Sequence, residues 1–369
     1  FTSLGLMSGT SGDGVDASII QSNGCSKYEV IKDKYYEYDS QIYQDIHNLK
    51  EKIHNLNDLK NLIKELSDLE RKITLFHAKV IKEINGYKKI DIVGFHGQTI
   101  YHNSQEKISN QLGDGKLLSQ LTQKNIIFNF RQNDIKNGGE GAPLAPIFHQ
   151  LIATKYKLDL PTCILNIGGI SNITIIEEPM GTYGFTSRDI GPGNCLIDSW
   201  VRKNSKYKFD KDGFFASTGK RNDIILEQAQ ELFSNRPNQE KLSFDVNDFD
   251  VSFARGLSLE DGVTTLTDFT ASIIGTALFS LLTNTSNKPW KVITCGGGRK
   301  NKTLIEKIKK NTLKNIFIQP IDDYGINGDF VESQAFAFLA IRSILKLPIS
   351  FPNTTGCIKP CTGGELIKN

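Results

Sequence analysis

Gly5–Ile20 reads GLMSGTSGDGVDASII. A short apolar run enters, four small residues (Ser8, Gly9, Thr10, Ser11) turn tightly with Gly12, and Asp13-Gly14 leads into a second apolar run. Two apolar runs joined by a glycine-rich turn predict a β-hairpin. Its tip is unusually polar. Such a turn directs several backbone N–H groups and hydroxyls toward one point, as a phosphate requires. Asp13 and Asp16 add two carboxylates suited to a metal ion or a water. The hairpin therefore predicts a protein that handles a nucleotide.

The same plan returns later. Cys163–Ile176 reads CILNIGGISNITII, again an apolar run, a small-residue turn and an apolar run. The echo predicts two related α/β halves. Between them, Tyr28–Tyr38 is a further strand candidate, and 40–89 carries apolar residues at helical spacing (Leu49, Ile53, Leu56, Leu59, Ile63, Leu66, Ile73). Ile90–Phe95 (IDIVGF) reads as a short buried strand with His96-Gly97-Gln98-Thr99 at its end, where ligands bind in α/β sheets. Both a structural and a binding role stay open for His96, and His102 follows it. Asn125–Phe130 is another strand candidate, leading into a loop dense in glycine, Arg131 to Pro143. Arg131 and Asp134 there suit either ligand recognition or a surface ion pair.

Farther on, Asp189 stands at the expected end of a strand over Thr182–Thr186, ahead of the bend Gly191-Pro192-Gly193, and packing explains it poorly. Trp290–Thr294 is a buried strand, broken by Gly296-Gly297-Gly298 ahead of a helical stretch from Arg299 to Lys309. Strand, three glycines and helix let backbone approach a flat or anionic ligand. Asp329 and Glu332 have the spacing of a capping box for a helix over Glu332–Leu345.

The 369 residues correspond to about two domains and allow a large core. With 44 basic and 41 acidic residues, the net charge of +3 leaves no nucleic-acid footprint. No stretch of about 18 apolar residues predicts a membrane span, and no signal-peptide pattern follows Phe1. The six dispersed cysteines fit reduced thiols in the cytoplasm. Cys357 and Cys361 are spaced CxxxC, but no His follows, so no zinc site is expected. The P-loop, the dinucleotide-binding GxGxxG and the kinase triplets HRD and DFG are absent.

Eight blocks, in order, resemble the anhydro-N-acetylmuramic acid kinase family of the actin/sugar-kinase/Hsp70-like superfamily. They are Met7–Asp16, Gly94–His102, Asn129–His149, Leu165–Thr174, Asp189–Asp198, Thr265–Ala271, Cys295–Asn301 and Gly325–Ala340. The resemblance implies two related actin-like (RNase H-like) α/β domains with a cleft between them. The expected division is 1–130 plus 346–369 for the first and 131–345 for the second. It implies a cytoplasmic enzyme of cell-wall recycling, which opens 1,6-anhydro-N-acetylmuramic acid with water and phosphorylates O6 with ATP and Mg²⁺. The product is N-acetylmuramic acid 6-phosphate.

By the same resemblance Asp189 is the catalytic base. Gly9, Thr10, Ser11, Gly12, Asp13, Gly14, Val15 and Asp16 hold phosphate, with Asp13 or Asp16 reaching the metal through water. Gly168 and Gly169 form a second phosphate turn, and Gly296, Gly297 and Gly298 the adenosine side. His96, Gln98, Arg131 and Asp134 are the sugar-side candidates, Arg131 because its fork matches the lactyl carboxylate. A homodimer is implied as well. The chain departs from the family pattern at Gly12 (usually Leu), Asn129 (Asp), Glu140 (Gln) and Ile190 (Thr). Alternatives are another sugar or carboxylic-acid kinase of the superfamily, a filament or chaperone-like ATPase, and a nucleotide sensor with a weakened site.

Overall fold

The computed structural model describes residues 1–84, 86, 89–236, 242–282 and 289–369. Parts of the expected helical stretch over 40–89, namely 85 and 87–88, lie outside the described residues. In chain order the strands are β1 (Thr2–Ser8), β2 (Gly14–Ser22), β3 (Tyr28–Glu37), β4 (Ile92–Asn103), β5 (Ile108–Leu112), β6 (Ile126–Phe128), β7 (Thr162–Ile167), β8 (Ile170–Ile176), β9 (Phe185–Pro192), β10 (Trp290–Cys295), β11 (Ile316–Pro320) and β12 (Glu365–Ile367).

They form two sheets. The first runs β12-β6-β4-β1-β2-β3, with β5 folded back on β4. β1 and β2 pair antiparallel, as the opening hairpin predicts, and β4 and β6 run parallel to β1. The second runs β11-β10-β7-β8-β9, with β10 parallel to both β7 and β11. Read from β3 and from β9, both sheets place their strands in the order third, second, first, fourth, then the next core strand. The repeated order realises the echo between the two hairpins.

The chain divides into two compact units: Phe1–Leu160, Ile176–Ser187 and Asp329–Asn369 in the first, and Pro161–Ile175 with Arg188–Gly328 in the second. The division expected from sequence put 131–160, 176–187 and 329–345 in the second domain; all three fall in the first unit. Glycines on the sheet explain part of this. Gly5 of β1 and Gly94 of β4 lie side by side in register. A Cβ at Gly5 would sit 1.9 Å from the Ser333 carbonyl, and one at Gly94 would sit 2.4 Å from that of Phe336. The helix Val331–Ile344 thus lies against β1 and β4 at a distance only glycine permits. Helix Pro146–Lys155 buries Phe148 edge-on to Tyr28, ring centroids 5.1 Å apart, and beside Phe338.

Helix Ser40–Lys50 starts at Asp39, whose carboxylate accepts from the Ile42 N–H. Helix Ile63–Ile84 buries Leu66, Leu69, Ile73, Val80 and Ile81 at helical spacing, and they join the apolar core of the first unit. The second unit is organised by helix Leu259–Leu282. Ala271, Ile274 and Leu278 join the cluster of β7 and β10, while Val263, Leu266 and Phe269 join that of helix Cys195–Asn204. Among the described residues it is the one helix long and apolar enough to cross a membrane, a length the sequence reading did not expect. It is mostly buried, as a core helix is.

The helix expected over Glu332–Leu345 runs from Val331 to Ile344. Helix Val331–Ile344 has Phe330 at its N-cap and no side-chain cap hydrogen bond.

Candidate active site

The turn Gly9–Asp13 joins β1 to β2. Gly12 has φ +63°, the left-handed region, and its N–H closes the turn on the Gly9 carbonyl at 3.2 Å. A Cβ there would meet Ile46 Cγ2 at 2.9 Å. Glycine at the position where the family usually has Leu therefore matches the local backbone.

Neighbours brace the turn. Lys50 Nζ donates to the Thr10 carbonyl at 2.8 Å, Gln98 Nε2 to that of Gly9 at 2.9 Å, and the Ser11 hydroxyl to Asp13 Oδ1 at 2.6 Å. The Asp13 carbonyl accepts from the Tyr38 N–H and the Tyr35 hydroxyl. Burial, then the charges of Asp13, Glu37 and Asp16, push the Tyr35 hydroxyl up from its ordinary pKa. Negative charge is thus concentrated beside the turn, on hard oxygen donors of the kind Mg²⁺ takes.

His96 and Gln98 lie inside β4. The expected strand ended at Phe95, yet β4 continues to Asn103, because Gln98–Asn103 pair with β5. Gly97, at φ +75°, marks the irregularity, and Gln98 stands opposite Ser8 at the end of β1. Gln98 is fully buried, and its Oε1 accepts no hydrogen bond among the described residues.

His96 Nδ1 donates to the Gly97 carbonyl at 2.8 Å. Its Nε2 accepts from Arg131, 3.0 Å from Nη2 and 3.3 Å from Nε. Burial and the Arg131 charge hold its pKa well below the ordinary histidine value, so the ring is neutral and its tautomer fixed. Arg131 Nη1 donates to the Gly141 carbonyl at 3.2 Å. Asn129, near the start of this segment, has φ +54°, which Asn tolerates as Asp does.

Asp134 turns inward. Its Oδ2 accepts the Gly141 N–H at 2.7 Å and its Oδ1 the Thr355 hydroxyl at 2.6 Å. A Cβ at Gly139 would strike this carboxylate at 2.2 Å. Asp134 therefore ties down the glycine-rich loop that carries Gly141.

In the second unit, Gly168 and Gly169 make the turn between β7 and β8. Their carbonyls accept from the Asn194, Gly193 and Cys195 N–H groups. A Cβ at Gly193 would lie 2.2 Å from the Gly168 carbonyl, which explains the glycine in the Gly-Pro-Gly bend. Asn166 stands opposite Cys295 at the ends of β7 and β10. Gly296 follows at φ +78°, where a Cβ would meet Asn166 Oδ1 at 2.4 Å. Among the described residues, nothing beyond its chain neighbours lies within 4 Å of a Cβ at Gly297. The turn is pinned by the nearly buried Arg299, whose Nη1 donates to the Gly296 carbonyl while Nε and Nη2 grip Asp322 at 2.6 and 2.8 Å. That grip holds the Asp322 carboxyl below its ordinary pKa.

Asp189 lies within β9, not after it: the strand expected over Thr182–Thr186 runs from Phe185 to Pro192. Its carboxylate is buried, and Oδ2 accepts the Phe244 N–H at 2.8 Å. Its own N–H donates to the Leu242 carbonyl. One carboxylate edge is therefore fixed by backbone.

The structure thus brings the 9–14 turn, Gln98, His96 and Arg131 together in the first unit. It groups the 168–169 turn, Gly296–Gly298 and the β9 end in the second. Sequence reasoning missed Lys50, Asn166, Arg299 and the Phe244 amide. Arg299 alone left a signal, standing directly after three glycines.

The family model for anhydro-N-acetylmuramic acid kinase matches residues 2–369. The chain is 57% identical over 371 residues to the anhydro-N-acetylmuramic acid kinase of Pelagibacter ubique (strain HTCC1062), covering 100% of this chain and 99% of that one. It is 36% identical to the enzyme of that name from Zymomonas mobilis subsp. mobilis, with 98% of each covered. For the one from Rhodospirillum rubrum the identity is 35%, with 98% and 92% covered. By these full-length matches, the chain belongs to the anhydro-N-acetylmuramic acid kinase family.

Proposed function

We propose that this chain uses ATP to phosphorylate O6 of 1,6-anhydro-N-acetylmuramic acid while water opens the anhydro bridge. The bond C1–O6 breaks and a bond from the water oxygen to C1 forms. O6 accepts the γ-phosphoryl group, and ADP leaves. Membership of the kinase family over the whole chain carries this reading.

The water must lose a proton as it attacks, and a carboxylate held at one edge by a backbone N–H suits that task. Asp189 fits, with Oδ2 on the Phe244 amide. The 9–14 turn, with Val15 and Asp16, takes the β- and γ-phosphates on backbone N–H groups. Gly168 and Gly169 form the second phosphate turn, and the open backbone at Gly297 suits the adenosine side. Asp13 and Asp16 would hold Mg²⁺, which supplies charge neutralisation on the triphosphate when bound.

On the sugar side, Arg131 supplies the fork for the lactyl carboxylate. His96 fixes that fork, and Asp134 fixes the loop whose carbonyl shares it. The unmatched Gln98 Oε1 is left as an acceptor for a sugar N–H or hydroxyl. ATP use and cysteines outside disulfides favour the cytoplasm as its site of action.

The test is the product. With Mg-ATP and 1,6-anhydro-N-acetylmuramic acid, the sugar gains the mass of one water and one phosphoryl group. Phosphorylation without the added water would favour an ordinary sugar kinase, and no turnover a nucleotide sensor.

A further inference from the structure

Cys357 and Cys361 are spaced CxxxC with no histidine after them. The structure supplies a third donor from far away in the chain. Asp134, Cys357 and Cys361 are all buried, and their ligand atoms lie within 4.8 Å of one another. Among the described residues no other group of three or more His, Cys, Asp or Glu converges in this way. Cys361 Sγ is 4.0 Å from Asp134 Oδ1 and 3.0 Å from the Ser350 hydroxyl.

We propose that Cys357, Cys361 and Asp134 form a structural site for a thiolate-binding divalent metal, Zn²⁺ by its donor set, with the Ser350 hydroxyl or a water as fourth ligand. Tetrahedral Zn²⁺ with ordinary bond lengths sets sulfur and oxygen ligands about 3.6 Å apart and two sulfurs about 3.8 Å apart. The Cys361–Asp134 pair, at 4.0 Å, lies close to that spacing, and donor atoms up to 4.8 Å apart would draw in by about 1 Å. Asp134 keeps the Gly141 N–H on its other oxygen, the outer hydrogen bond that orients a ligating carboxylate.

The surrounding backbone is built to hold the donors. Cys361 is fixed by an antiparallel bridge to Ser350, and its carbonyl accepts from the Ile349 N–H at 2.9 Å. The Ile358 N–H donates to the Asn137 carbonyl and the Glu140 N–H to that of Thr355. The metal would close this seam between the C-terminal segment and the loop that presents Gly141 to Arg131. Cysteine thiols are ordinarily protonated at neutral pH, so metal binding to Cys357 and Cys361 must expel both protons.

The experiment uses the full chain, assayed for zinc as purified, then stripped with a chelator and titrated with Zn²⁺ or Co²⁺. The expected result is about one ion per chain, with about two protons released per ion near pH 7. Co²⁺ should give a thiolate-to-metal charge-transfer band. The double variant Cys357→Ala/Cys361→Ala should bind Zn²⁺ roughly 100-fold more weakly or worse. Absence of that band in folded wild-type chain, or undiminished Zn²⁺ binding by the folded variant, overturns the proposal. If the double variant does not fold, Cys357→Ala alone and the wild-type cobalt spectrum decide it.

Discussion

His96 shows how a residue that looks like a ligand serves another. Both ring nitrogens are engaged, one by the Gly97 carbonyl and one by Arg131. It is a positioning residue: a neutral acceptor that holds the guanidinium in one orientation. Removing an acceptor from a charged donor costs on the order of 1.5–3 kcal/mol. His96→Ala should therefore raise KM for the anhydro sugar by about 10-fold or more, by the same energy scale. KM for ATP and kcat should move little. His96→Gln, whose amide oxygen can accept from Arg131, should recover part of the loss. Steady-state kinetics with each substrate varied in turn reads this split, and an unchanged KM for the sugar in His96→Ala would rule the role out. The sequence marked His96, Gln98, Arg131 and Asp134 as polar residues beside glycines, but not their partners. Whether a side chain faces a ligand or a neighbouring loop depends on distant residues such as Thr355, which no local pattern reports.

At the scale of elements, the hairpins and the buried strands were legible because apolar runs bounded by small residues leave few alternatives. The extension of β4 through His96–Asn103 was not, since its polar residues read as a loop until β5 pairs with them. Asp189 was placed just after its strand for a similar reason: a buried acid inside β9 is tolerated because the Phe244 amide satisfies it. The helix Val331–Ile344 was legible, but its resting place on the first sheet was not. That docking depends on Gly5 and Gly94, which sequence alone presents as ordinary strand glycines. Gly5→Ala should force the helix away from β1 and destabilise the protein by at least about 2 kcal/mol, as overpacking does. Denaturant unfolding measures it, and a stability within error of wild type would contradict the close approach.

At the scale of the whole molecule, one strand order recurs in both units, and the family match runs through both. The repeated hairpin let the sequence suggest this duplication. The expected boundary differs from the observed units at 131–160, 176–187 and 329–345, which join the first unit through tertiary packing that leaves no break in composition. The chemistry assigned here asks one carboxylate, Asp189, to take a proton from water, while phosphate and sugar are held by other residues. The most direct measurement is turnover of Asp189→Asn alongside calorimetric binding of ATP and of the anhydro sugar. Binding of both should persist while kcat falls by about 100-fold or more, the scale of lost base catalysis. Near-normal turnover in the folded variant would contradict the assignment.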